Sequence, residues 1–149
     1  MKEIQGDLIK LALEDEFDVI VHGCNCFHTF GAGIAKQIKQ TWPEVYEEDK
    51  KTEYGAVYKM GSISYAEVSP SLIVVNAYTQ FGYGGDGPHV SHISIGVAFQ
   101  NIKREFGNLG FRFGIPKIGA GLAGGDWKEI APFIEEAMKG EDLTLAVLP

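Results

Sequence analysis

The sequence predicts a single α/β domain spanning residues 1–149, with a mixed, mostly parallel sheet covered by helices on both faces. Three observations carry this. Apolar runs of strand length alternate with stretches of helical periodicity along the whole chain. One run, Leu72 to Tyr78 (LIVVNAY), is continuously apolar, as in a strand buried on both faces. The glycines cluster at Gly31 to Gly33, Gly82 to Gly87 and Gly119 to Gly125, each after an apolar run, where strand-to-helix loops belong.

Taken in order, the opening segment Ile4 to Leu13 is ambiguous between strand and helix. Asp18 to Gly23 (DVIVHG) has the β-branched content of a strand. A helix is expected from about Gly33 to Gln40, with Ile34, Ala35 and Ile38 on one face. Pro43 permits a second helix to start after Trp42 and run to about Thr52. The charged run Glu47 to Lys51 within it reads as a solvated face. Ile63 to Val68 and Leu72 to Tyr78 are strands around a turn at Ser69-Pro70-Ser71. A long helix from about His89 to Phe106 follows, with Ile95, Ala98, Phe99, Ile102 and Phe106 at helical spacing and Gly107 as its stop. Phe111 to Ile115 is the next strand. The last helix starts near Asp126, a natural N-cap, and buries Trp127, Ile130, Ala131, Ile134 and Met138. Leu143 to Leu148 is the final strand.

Composition narrows the function. With 13 Lys and Arg against 20 Asp and Glu, the net charge is −7, which argues against general nucleic-acid binding. No apolar stretch reaches membrane-spanning length and Met1 to Ile9 lacks the run of a signal peptide, so a cytoplasmic protein without a membrane partner is expected. Two cysteines, Cys24 and Cys26, cannot by themselves close a zinc site and read as reduced thiols. Neither a metal triad nor a pair of carboxylates stands out. A bound metal or cofactor is therefore not expected.

The glycine loops carry the chemistry. Gly119, Gly121 and Gly124 spell G-x-G-x-x-G, but a dinucleotide fold places that pattern in its first strand–helix unit, and here it precedes the last helix. What survives is physical: glycines let backbone N–H groups approach a phosphate, and a helix start binds anions without a basic side chain. Two such loops facing each other would clamp a diphosphate, which is how an acidic protein could hold a polyanion. The Cys-x₅-Arg loop of covalent phosphatases is absent from the sequence.

Gly6-Asp7-Leu8, Gly23-Cys24-Asn25-Cys26, Gly31-Ala32-Gly33-Ile34-Ala35 and Pro116-Lys117-Ile118-Gly119-Ala120-Gly121-Leu122 occur in that order. This set resembles the macrodomain family over essentially the whole chain. The Gly-Cys-Asn-Cys start, Asn76 to Gln80 and the Gly-Ala-Gly-Leu-Ala-Gly-Gly-Asp-Trp loop resemble its ADP-ribose-1″-phosphate phosphatase branch. The resemblance implies a three-layer α/β/α macrodomain that binds ADP-ribose. It further implies hydrolysis of ADP-ribose-1″-phosphate to ADP-ribose and phosphate. Alternatives are a non-catalytic ADP-ribose reader, or a hydrolase that removes ADP-ribose from protein or nucleic acid.

By position, the resemblance assigns Asp7 and Leu8 to the adenine and Asn25 to the distal ribose. It assigns Gly31, Ala32, Gly33 and Ile34 to the first phosphate loop. Pro116, Ile118, Gly119, Ala120, Gly121 and Leu122 form the second. Tyr78, Phe81 and Tyr83 are candidates for an aromatic beside the ligand. The candidate catalytic residues are Asn25, His28 and Asp126. His28 precedes a glycine anion loop and could donate a proton, or be a plain loop histidine. Asp126 could equally be only a helix cap. Ala35 and Ala123 stand where ester-cleaving and glutamate-deprotecting relatives carry acids. His22, inside an apolar strand, reads as a core histidine.

Overall fold

The computed structural model describes residues 1–83, 89–121 and 123–149. Its elements in chain order are β1 (Lys2–Gln5), α1 (Leu8–Leu13), β2 (Val19–Cys24), α2 (Gly33–Thr41), α3 (Pro43–Lys50), a 3₁₀ turn (Val57–Lys59), β3 (Ile63–Ser69), β4 (Leu72–Tyr78), α4 (His92–Phe106), β5 (Arg112–Ile115), α5 (Trp127–Ala137) and β6 (Asp142–Val147). The six strands form one sheet in the order β1-β6-β5-β2-β4-β3. All neighbouring pairs are parallel except β3 with β4. The expected mixed, mostly parallel sheet is therefore what forms, with the single antiparallel strand at one edge.

Strand alternation sends successive side chains to opposite faces and makes two cores. Val19 and Val21 of β2 join Val75 and Ala77 of β4 beneath α4 and α5. Ile20 and Cys24 join Val74 and Tyr78 beneath α1, α2 and α3. This is the three-layer α/β/α arrangement. Because five strands run the same way, the loops after β2, β4 and β5 emerge along one edge, the usual ligand edge of such sheets.

Three details depart from expectation. The ambiguous opening splits at Gly6: Lys2 to Gln5 pair with β6, and Asp7 caps α1 by accepting from the Lys10 N–H at 3.0 Å. The long helix begins at His92 and not His89, because Val90 is drawn into a bridge with Gln80 and Ser91 serves as the cap. The charged run of α3 is not wholly solvated. Asp49 is completely buried, since it lies one turn beyond Val45 on the same helix face. Among the described residues, no helix is long and apolar enough to cross a membrane.

Candidate functional site

The two glycine loops face one cleft of about 860 Å³ at the carboxyl ends of β2, β4 and β5. Gly31, Ala32, Gly33 and Ile34 line one wall, together with Ala35. Pro116, Ile118, Gly119 and Gly121 line the other, with Lys117 and Ala123. Gly23, Cys24 and Asn25, where β2 ends, also line it. A cavity of this size suits a nucleotide-sized ligand.

The first wall offers backbone donors. Helix α2 begins at Gly33 with no side-chain cap, and Ala32 is its N-cap residue. Its first N–H groups therefore lack a side-chain acceptor and carry the positive end of the helix dipole. In the second loop, Gly119 adopts left-handed backbone (φ +78°), and its carbonyl accepts from the Gly125 N–H at 2.7 Å. This closes the loop on itself. The loop is also tied to the chain after β4, whose His89 N–H donates to the Ala123 carbonyl at 2.9 Å.

Two glycines are open for a different reason. A Cβ built on Gly31 or Gly121 meets nothing within 4 Å. The protein's own packing does not demand glycine at these two cleft-lining positions, so the space there is left for something else. The electrostatics agree. Among the described lining residues the only charged side chain is Lys117, although the chain carries seven excess negative charges. The described walls thus carry none of the acidic groups that dominate elsewhere. Lys117 was the missed residue whose signal was available: it is the cation between Pro116 and Ile118, both already assigned to the loop.

Several assigned residues stand elsewhere. Asp7 and Leu8 do not line the cleft; Asp7 caps α1, and Leu8 is buried in the core beneath it. Ala120 does not line the cleft either, its N–H donating to the Lys117 carbonyl at 3.1 Å within the turn. Leu122 lies outside the described residues, as does part of the Gly82 to Gly87 cluster. Of the three aromatic candidates, Tyr83 lines the cleft, while Tyr78 is fully buried.

Of the three candidate catalytic residues, one lines the cleft. Asn25 does, but its amide is engaged: Oδ1 accepts from the Phe27 N–H at 2.8 Å, and Nδ2 donates to the Thr29 hydroxyl at 2.5 Å and carbonyl at 3.2 Å. It shapes the turn between β2 and the first loop. His28 is turned away toward the end of α3, where Nε2 donates to the Thr52 carbonyl at 2.9 Å. Its own carbonyl accepts from Tyr46 at 2.7 Å, and these two bonds hold it in a left-handed conformation (φ +56°). Asp126 caps α5, accepting from the Lys128 N–H at 3.0 Å.

Beneath the first loop lies a buried polar chain that spacing alone did not reveal. His22 donates from Nε2 to Asn76 Oδ1 at 2.6 Å, and Asn76 donates to Ser64 at 3.0 Å and to the Val45 carbonyl at 3.1 Å. Tyr78 donates to Asp49 Oδ1 at 2.6 Å, so Ser64, 2.8 Å from the phenol, donates to it. Burial holds His22 neutral, its pKa down at about 4, against the pull of Asn76. Burial likewise pushes the Asp49 carboxyl up, opposed by the Tyr78 bond and by the charges of His28 and Lys59. Cys24, whose sulfur lies 3.5 Å from His22 Nε2, has its thiol pushed well up by burial. It is therefore a protonated floor for the cleft and not a nucleophile.

The arrangement can bind an anion through backbone. Among the described residues that line it there is no carboxylate or imidazole to act as general acid or base, and no cluster of three or more metal-ligating side chains occurs among the described residues.

No family model matches the chain. It is 35% identical over 145 residues to an uncharacterized 17.5 kDa protein from the tk-vs intergenic region of Enterobacteria phage T4, covering 91% of this chain and 88% of that one. A stretch of 46 residues, 31% of this chain and 21% of the other, is 44% identical to an ADP-ribose 1″-phosphate phosphatase of Aspergillus oryzae. Among solved structures, the macrodomain of Mycobacterium tuberculosis DarG superposes with a TM-score of 0.80 at 18% identity, over 99% of this chain and 97% of that one. Thermosipho africanus DarTG, solved in complex with ADP-ribose, matches with a TM-score of 0.73 at 17% identity, over all of this chain and 42% of that one. The chain thus has the macrodomain fold throughout, and it belongs to one family with the phage protein.

Proposed function

We infer that this protein binds ADP-ribose in the cleft between its two glycine loops. The observation that carries the reading is the pair of facing loops whose Gly31 and Gly121 leave unfilled space, in a cleft whose described walls hold Lys117 as their only charge. A diphosphate fits such walls because backbone N–H groups and one ammonium neutralise it without a basic surface. The ADP-ribose complex of a fold neighbour supports the same ligand.

A second reading, hydrolysis of ADP-ribose-1″-phosphate, is favoured by the 46-residue match to a phosphatase of that substrate. With no described acid or base on the walls, such a reaction would rely on a bound water and on the substrate's own phosphate oxygens. Removal of ADP-ribose from a modified macromolecule would need the same device.

The test is calorimetric titration of the full chain with ADP-ribose, followed by phosphate release from ADP-ribose-1″-phosphate. Gly31→Glu is expected to keep the wild-type melting temperature, because its Cβ meets nothing, and to lose at least about 100-fold in affinity, a change of roughly 3 kcal/mol. Wild-type affinity in that variant would refute the placement of the ligand. Binding with phosphate release supports the phosphatase; binding without it leaves a reader.

A further inference from the structure

Beyond the first glycine loop, on the side of α2 and α3, lies a second cavity of about 490 Å³. Gly31 lines both cavities, so they meet at that residue. Phe30 and Tyr46 give the second cavity an aromatic base, and Lys36 and Lys39 stand on its rim.

The charges there are unlike those of the rest of the chain. Lys36 and Lys39 are three residues apart on α2 and share a face. Neither is in an ion pair among the described residues. The Lys39 ammonium sits 4.3 Å from the centre of the Tyr46 ring and that of Lys50 5.1 Å from it. The single carboxylate on the rim, Glu47, is taken up by Lys50 at 2.9 Å. Among the described residues, two ammonium groups are thus left without a carboxylate, in a chain of net charge −7. Resting one of them on an aromatic ring restricts its side chain before any ligand arrives.

We propose that this cavity is an anion subsite, taking a phosphate group that a ligand seated in the cleft carries past the first loop. The inference rests on the reading of the cleft as an ADP-ribose site and extends it to what is attached to that ligand. The division of labour is physical. The cleft meets phosphate with backbone dipoles, whereas this cavity meets it with full charges, whose attraction weakens with salt. The same charges disfavour a basic peptide as the attached group. A terminal phosphomonoester and a phosphodiester leading to a further nucleoside share the required chemistry.

The experiment titrates wild type and the Lys36→Ala/Lys39→Ala double variant with three ligands. These are ADP-ribose, its terminal phosphorothioate monoester (which resists hydrolysis), and the same position joined by a phosphodiester to a second nucleoside. Wild type is expected to prefer at least one phosphorylated ligand over ADP-ribose by about 10-fold at low salt, less at high salt. The double variant is expected to lose that preference while binding ADP-ribose within about twofold of wild type. The ligand that gains more identifies the source of the phosphate. A preference that survives in the double variant overturns the proposal, as does its absence from wild type while ADP-ribose still binds. Failure of ADP-ribose to bind wild type overturns the cleft reading and this inference with it.

Discussion

The two walls of the cleft stand on opposite faces of one sheet, and the two faces are built from different chemistry. Under the second loop the packing is mainly apolar: a Cβ on Gly119 would press within 2.6 Å of Val90, with Ile130 and Ile95 close behind. Under the first loop run His22, Asn76, Ser64, Tyr78 and Asp49, with Lys59 buried over the Tyr78 ring at 4.6 Å. Backbone bonds within the second loop rest on mainly apolar packing, whereas the first wall rests on a chain of buried side-chain bonds. Apolar packing tolerates small slippage, whereas a buried hydrogen-bond chain accepts one geometry and penalises any missing member. The polar chain reaches the cleft through Cys24, whose sulfur faces His22, and through Lys59, which donates to the Cys26 carbonyl at 3.4 Å. The turn around Asn25 is therefore fixed from beneath.

The largest effect that would break this contrast lies at Asp49. Asp49→Ala removes the acceptor of the Tyr78 hydroxyl and a buried carboxylate that feels the charge of Lys59, and should cost about 3–5 kcal/mol in denaturant unfolding. Combined with Lys59→Met, the cost should be less than the sum of the single changes; strict additivity would show that the two groups do not act together.

Next in size is an acid sensitivity seated in His22. Its folded pKa, about 4, lies below that of an unfolded histidine, near 6.5. Between those values the unfolded chain binds the extra proton and the folded chain does not, so stability falls as the pH drops through that window. The loss should reach about 3 kcal/mol by pH 4. His22→Gln should flatten that part of the stability–pH curve, and an unchanged slope would assign it to other groups.

The smallest effect sharpens the apolar side. Gly119→Ala should cost about 2 kcal/mol, part from the left-handed backbone and part from contact with Val90. Val90→Ala in the same chain should relieve only the contact. Full rescue would mean that the backbone conformation costs nothing there.

Much of this molecule is legible in the sequence. The strands of the sheet interior and the long helix announce themselves through apolar runs and helical spacing, because burial on one or both faces demands those periods. The glycine loops are legible for a related reason: a backbone that must approach a ligand, or turn left-handed, leaves few choices of residue. What escaped has no local period. Lys2 to Gln5 are exposed and become a strand only by pairing with β6, from the far end of the chain. Asp49 looked like part of a solvated run, and only packing of α3 against β3 and β4 shows that its face turns inward.

By itself the sequence determined the layer order, the position of the two glycine loops and the family resemblance, since each is written in short-range patterns of apolar residues and glycine. The tertiary structure decided which polar groups meet. It turned His28 toward α3, made Asp126 a helix cap, left Lys117 as the one charge among the described residues of the cleft, and buried a chain of polar side chains beneath the first loop. Those outcomes depend on strands and helices distant in sequence coming together, and a polar side chain's role is set by the partner it finds there.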